Sequence, residues 1–588
     1  MQIRWGELPQ QTRSLRLQET DRALELLHHA LGRAWSDTDL SDPYQRRLAF
    51  DRLVALRDRL QMPAVVREFE RVEQWFQLRE RSGGRSGERA TPADTSASTA
   101  PDARSTAVDI PPYVLMAAAD AYLYLRQPVR ARDLYREVLH REPDNPNVRS
   151  SLFYAYVDMD AFAEAEHLLT GWAAQAGESG AAQLDVRLHR SRLLAFSDRL
   201  GDAQEMLESI RAQAPRNAVA HQLLGQVYRW RGWPHLAERE LRWVLQRDPD
   251  SVGARVERAH LELDRGSVDR AAAQLRSLKM GFASSPAVQR LEHRLRLTGR
   301  PQLVSRVRFG HSSGPQLGTR ELRMDALVFS NRLAHRVRVF LHEHRAQARL
   351  ADSVPTNHRL GVGLEYTYRF GHAQAELSKG LADNRKPGLS VQADARVGDH
   401  LSVGAALEHN SNEVPLRGMR IGVTGIRYGG VVVYRWHESA RAQLRLDRMD
   451  ISDDNERYSL SATAERRLVN EPLLKLTGLA QAYASRNTRQ DVAYFSPRRD
   501  LSLSMGLLLD STLWRHYERR LEQRVRLELG SYWQHAFKRD LTWSLGYEQS
   551  LRLNESVNLN YGVSRARRVF DGLPEYENAL FATLDVRL

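Results

Sequence analysis

The 588 residues contain no cysteine, which excludes disulfides, thiolate metal sites and cysteine nucleophiles. A thiol-free chain suits an oxidising compartment, although cytosolic chains can lack cysteine too. Lysine is almost as scarce. Only five of the 86 basic residues are lysine, at Lys279, Lys379, Lys386, Lys475 and Lys538. The arginines are spread along the chain beside 73 acidic residues, with no clustering on one face or beside base-stacking aromatics. The net charge of +13 is therefore a compositional bias and argues against nucleic acid as a partner. Long apolar runs are missing as well. No window approaches the roughly 18 apolar residues of a membrane helix. The opening MQIRWGELPQ has no apolar h-region, so no signal peptide is read in the chain as given.

The length implies more than one domain, and the hydrophobic share of 42% is that of a folded protein. Pro215 and Pro249 stand 34 residues apart, the period of tetratricopeptide repeats. The unit at 218–251 sets Leu224, Gly225, Tyr228, Ala237, Leu241, Val244 and Pro249 in the pattern of that repeat. Small residues such as Gly225 and Ala237 let two antiparallel helices approach, and the larger ones fill the gap to the next unit. Units at 112–145, 146–179, 184–217 and 252–285 hold the same phase, with an insertion near Gly177–Gly180. Upstream, the spacing of Leu48, Leu53, Leu56 and Leu60, then Val66, Phe69, Val72 and Phe76, predicts degenerate repeats within 1–80. Residues 81–110 are rich in Ser, Gly, Ala and Thr and read as a flexible linker. The repeats proper occupy 111–299.

From about residue 300 the period changes to two. In HRLGVGLEYTYRF (358–370) the even positions from Leu360 to Phe370 are mostly apolar, and a turn is expected at Gly371-His372, pairing Phe370 with Ala373. Leu389 to Val397, Leu401 to Leu407, Leu501 to Leu509 and Val557 to Val563 alternate likewise. About 16 such segments without a helix predict an antiparallel transmembrane β-barrel over 300–588, apolar toward lipid and polar toward a watery lumen. The fold class is thus α + β multidomain, an N-terminal α-solenoid followed by a barrel. The lumen candidates for substrate contact are Glu365, Arg369, Glu376, Asp394, Arg396, Glu408, Arg524, Arg526 and Glu528. In LFATLDVRL the final strand runs to the end of the sequence, at Leu588.

Catalytic motifs carry little. GHSSG (310–314) matches a nucleophile elbow around Ser312, but a strand-like segment follows where an elbow needs a helix, so a hairpin turn is the reading. His342-Glu343-His344 lacks the helical spacing of a zinc motif, and no metal site is assigned. Asn554-Glu555-Ser556 is a chance sequon, and no Gly-rich phosphate loop occurs. Neither an active site nor a cofactor is expected.

Repeats leading into such a barrel resemble the bacterial exopolysaccharide exporters, and in detail the poly-β-1,6-N-acetylglucosamine export porin family. YFSPRRD (494–500), LWRHYERR (513–520), GSYWQ (530–534) and RRVFDGLPEYE (567–577) carry the resemblance. It implies a barrel that conducts the linear polymer across the outer membrane and periplasmic repeats that meet the polymer or its deacetylase. It also implies acidic lumen residues favouring a partly deacetylated, cationic chain. Here the inferred lumen mixes both signs, and basic residues outnumber acidic ones by about 10 over 301–588. Loops touching lipopolysaccharide phosphates would take up part of that excess. The family's leader and longer repeat region imply a sequence that starts late. Three alternatives stay open: export of a cellulose-like or Pel-like polymer, a repeat scaffold with a soluble β domain, and an outer-membrane esterase using Ser312.

Overall fold

In the computed structural model, residues 22, 25, 26, 29, 40–83, 110–177, 180–314 and 316–588 are described. The linker expected at 81–110 falls, over 84–109, outside the described residues, as do most of residues 1–39 and part of the insertion near Gly177. The chain divides into two compact units, residues 1–196 with 279–286, and residues 197–278 with 287–588.

The first unit contains α1 (Pro43–Asp58), α2 (Met62–Gly83), α3 (Pro112–Tyr124), α4 (Pro128–Arg141), α5 (Pro146–Asp158), α6 (Phe162–Ala176) and α7 (Gly180–Phe196). Proline at the first helical position suits its fixed φ and missing N–H, and it opens α3, α4 and α5. Asn145 caps α5 by accepting from the N–H of Asn147 at 3.1 Å and of Val148 at 3.3 Å. Leu53, Phe69, Tyr122, Tyr135, Phe153 and Leu169 are buried in one continuous core.

The second unit holds α8 (Leu200–Gln213), α9 (Ala218–Arg231), α10 (Pro234–Arg247), α11 (Val252–Asp264), most of α12 (Val268–Phe282), and α13 (Pro286–Gly299). Gly225 is needed for close approach. A Cβ there would stand 2.9 Å from Leu241 Cγ on the neighbouring helix, closer than carbon atoms pack.

Sixteen antiparallel strands complete this unit as a closed barrel, each paired with its sequence neighbours and β1 with β16. They are β1 (Gln302–Ser312), β2 (Arg320–Phe329), β3 (Val337–Arg349), β4 (Thr356–Tyr368), β5 (Gly371–Gly380), β6 (Pro387–Val397), β7 (Leu401–His409), β8 (Gly425–His437), β9 (Ala440–Ile451), β10 (Glu456–Asn470), β11 (Leu474–Asn487), β12 (Arg499–His516), β13 (Arg519–Gln534), β14 (Asp540–Asn554), β15 (Val557–Phe570) and β16 (Leu573–Arg587). A short helix, α14 (Leu416–Arg420), lies between β7 and β8. Closure removes every free strand edge, which hydrocarbon would not tolerate.

The alternation runs as read. Leu501, Leu503, Met505, Leu507 and Leu509 stand on the outer face, Met505 75% exposed. Leu360, Val362, Leu364 and Tyr366 form another part of the same belt. Apolar surface of this extent costs roughly 25 cal/mol per Å² in water, so lipid is its solvent. Among the described residues no helix is long and apolar enough to span a membrane; the strands do so.

One hairpin differs from expectation. Tyr368 pairs with Gly371 and Tyr366 with Ala373, so Arg369-Phe370 is the turn, with Phe370 at φ 72°. The two-residue slip keeps every side chain on its predicted face, which is why alternation could not detect it. Gly371 is needed within the strand, where a Cβ would meet Asp394 O at 2.0 Å. GHSSG is the end of β1 and the loop after it, with no helix following.

Candidate functional site

The turns joining successive repeat helices recur at 34 residues, at Asp198, Gly232 and Gly266, all with positive φ. Each meets a barrel turn. Asp198 bonds Lys475, and its carbonyl accepts from Asn470 Nδ2 at 2.7 Å. Arg231 Nε lies 3.1 Å from Glu438 Oε2, and Trp233 Nε1 donates to Trp436 O at 2.9 Å. The N–H of Phe370 donates to Arg265 O at 2.7 Å. Further along, the N–H of Arg332 donates to Gly299 O at 3.2 Å. Asp399, in the β6–β7 turn, accepts from the first N–H groups of α10, His235 at 2.7 Å and Leu236 at 3.3 Å. A carboxylate is favoured there because the orphan donors and the helix dipole both point at it. The helical turns of this second unit thus border one mouth of the barrel.

Inside, the wall is a set of ion pairs. Near the helix-side mouth, buried Glu365 takes both arms of Arg338, each at 2.9 Å, with Arg332 at 3.3 Å and Gln374 at 3.1 Å. Arg338 also covers the ring of Phe329 at 4.3 Å. Glu376 faces His342, whose Nδ1 is 3.0 Å away. Asp394 meets His372 at 2.8 Å. Arg427 lies between Glu408 and Asp447, the latter at 2.9 Å. Arg524 pairs with Asp510 at 2.7 Å, and Arg526 with Glu528, which also reaches Gln481 and Ser544.

Eight of the nine lumen candidates therefore stand on the inner face of a strand, Arg396 at the helix-side end of β6. Arg369 does not. It occupies the β4–β5 turn, exposed, with its guanidinium 4.8 Å from the Phe370 ring. Strand reading extended β4 by two residues and so carried Arg369 onto the wall.

The other mouth is narrowed by its loops. Residues 410–424 fold inward so that α14 touches β3 and β4, well away from its own neighbours β7 and β8. Asn412 accepts from Asn357 Nδ2 of β4 at 2.9 Å. Val414, Met419, Val423, Met449, Ile451 and Tyr494 make a buried apolar cluster that anchors this loop to the one at 488–498. The Tyr494 hydroxyl bonds Asp453 at 2.9 Å, and fully buried Asn455 donates to Tyr494 and Ser496. YFSPRRD is thus a packed strut. Sequence reading treated it as a charged turn at the rim and missed the constriction, because its core is assembled from two separate loops and the end of β9.

Ser312 lies buried at the end of β1, beside the loop that Glu575 holds by accepting from Gln316 N at 2.7 Å. Among the described residues no histidine hydrogen-bonds Ser312.

Residues 302–588 match the family described as PgaA membrane beta barrel domain, and residues 122–188 match a tetratricopeptide repeat family. The curated poly-β-1,6-N-acetyl-D-glucosamine export protein of Escherichia coli K12 is 24% identical over 99% of this chain and 70% of its own length. The protein of that name in E. coli O157:H7 matches to the same extent. A solved structure titled bacterial polysaccharide outer membrane secretin is 24% identical, covers 50% of this chain and 99% of its own, and has a TM-score of 0.47.

Proposed function

We propose, on the match of residues 302–588 to the family described as PgaA membrane beta barrel domain, that the chain is an outer-membrane porin exporting a linear exopolysaccharide, poly-β-1,6-N-acetylglucosamine. The observation that carries this reading is the closed 16-strand barrel of that family with a polar, ion-paired interior. Barrels of this size leave an aqueous channel. The repeats lie on the periplasmic side, where they receive the polymer or its deacetylase before the chain enters the helix-side mouth.

The chemistry needed is transfer, not catalysis. Sugar hydroxyls exchange water for the carboxylates and guanidiniums of the wall, including Glu376, Asp394, Arg396, Glu408, Arg524, Arg526 and Glu528. Contacts must be many and weak, so that the polymer enters readily and leaves readily. Because most wall charges are already paired, each sugar meets half-satisfied donors and acceptors, which keeps any single contact loose. A lumen of both signs accommodates acetylated sugars as well as amines, and this also supports the second reading, export of a different neutral polysaccharide.

The test is a deletion strain complemented with this protein directed to the outer membrane, probed by immunoblot for surface poly-N-acetylglucosamine. Polymer should return. Its absence, with the protein folded in the outer membrane, would overturn the substrate; appearance of another polymer would establish the second reading.

A further inference from the structure

Helical spacing is the wrong criterion for His342 and His344, because in β3 residues two apart share a face. Both rings point into the lumen, with Asp325 of β2 paired opposite His344. One ligand atom from each of Asp325, His342 and His344 lies within 4.8 Å of the others. From this geometry we propose that these three residues bind one divalent transition-metal ion of the zinc class on the inner wall of the barrel.

Proton placement supports a cation there. His342 Nδ1 is 3.0 and 3.1 Å from the two oxygens of Glu376, which accept only, so this nitrogen carries the hydrogen. In the neutral ring Nε2 then presents a lone pair, and it faces Asp325 Oδ1 at 3.4 Å. A shared cation, either a second proton on the ring or a metal ion, would join these two atoms. The same Asp325 oxygen is 2.8 Å from His344 Nδ1. His344 Nε2 is buried and meets no hydrogen-bond partner among the described residues.

Donor type selects the ion. Two imidazoles and one carboxylate suit zinc and its neighbours, whereas calcium and magnesium prefer all-oxygen sets. Glu376 supplies the outer carboxylate that orients a metal-bound histidine. Three protein ligands leave a coordination position facing the lumen, open to water or to a hydroxyl or amine. The inference is independent of which polymer the barrel conducts.

The full chain, folded in detergent micelles, carrying no polyhistidine tag and stripped with EDTA, is titrated with Co²⁺ and then competed with Zn²⁺. The expected result is one equivalent of cobalt with the visible bands of a low-symmetry nitrogen–oxygen site, displaced by zinc. Asp325→Asn and His344→Ala should abolish it, and Glu376→Gln should weaken binding roughly tenfold. His358→Ala should change nothing, since that ring lies on the outer wall against Glu343 at 3.1 Å. Absence of cobalt binding by the wild type overturns the site, and so does binding that survives in folded Asp325→Asn. Heat-modifiable migration reports folding; should both ligand variants misfold, the wild-type titration and Glu376→Gln decide.

Discussion

Arg338 and Glu365 face each other across β3 and β4 as a bidentate pair, both distances 2.9 Å and both side chains buried at the helix-side end of the lumen. Removing one partner strands the other. Glu365→Ala would leave Arg338 and Arg332 as neighbouring uncompensated cations and should cost roughly 3 kcal/mol. Replacing Arg338 and Glu365 together by Met and Leu should cost much less. The temperature at which the folded gel band converts to the unfolded one measures both; equal losses would refute the pairing.

Asp399 holds the first turn of α10 from a barrel turn 164 residues away in sequence. Asp399→Ala should cost about 1 kcal/mol and raise hydrogen exchange at the N–H groups of His235 and Leu236. Unchanged exchange there would mean that the cap does not hold the helix edge.

Gly225→Val places a branched side chain against Leu241. Overpacking should destabilise the repeats by about 1–3 kcal/mol, visible as a lower melting temperature of the helical circular-dichroism signal, with the barrel's heat-modified shift unaltered.

His189 packs against Phe153 and Trp172, with Nε2 3.0 Å from the Ser150 hydroxyl. Burial, aided by Arg192, pushes its pKa down to about 4 from 6.5. The unfolded chain therefore binds a proton that the folded one refuses between these values. Stability is complete above pH 6.5 and falls as pH drops toward 4, by roughly 1–2 kcal/mol at pH 5. Helical melts at pH 7.5 and pH 5 should differ in the wild type, and by less in His189→Gln.

If the inward loop narrows the channel, deleting residues 412–423 should raise single-channel conductance in planar bilayers several-fold. Conductance equal to wild type would rule out residues 410–424 as the narrow point.

The sequence patterns made much of this architecture legible. Alternation at Leu501–Leu509 revealed the lipid face because a strand has only two faces, and the phase of Pro215 and Pro249 revealed the repeats because their packing units recur. Pairings were another matter. Glu365 could be read as facing inward, but its choice of Arg338 depends on the β3–β4 register, which alternation alone does not fix. Asp325 drew no notice, since it reaches His344 only through strand pairing. Tyr494 looked like part of a rim turn because its apolar neighbours, Met419 of α14 and Met449 of β9, lie far away in the chain.

The 34-residue step of the repeats carries a further consequence. Asp198, Gly232 and Gly266 stand one step apart, and each is seated on a different turn of the barrel. The repeats from Asp198 to Gly299 are consequently pitched to the barrel like teeth to a rack. Gaining or losing a single residue between these positions would throw all later contacts out of step, whereas whole repeats could be added or removed ahead of Asp198 without disturbing a tooth. Length variation among relatives should therefore collect upstream of this point.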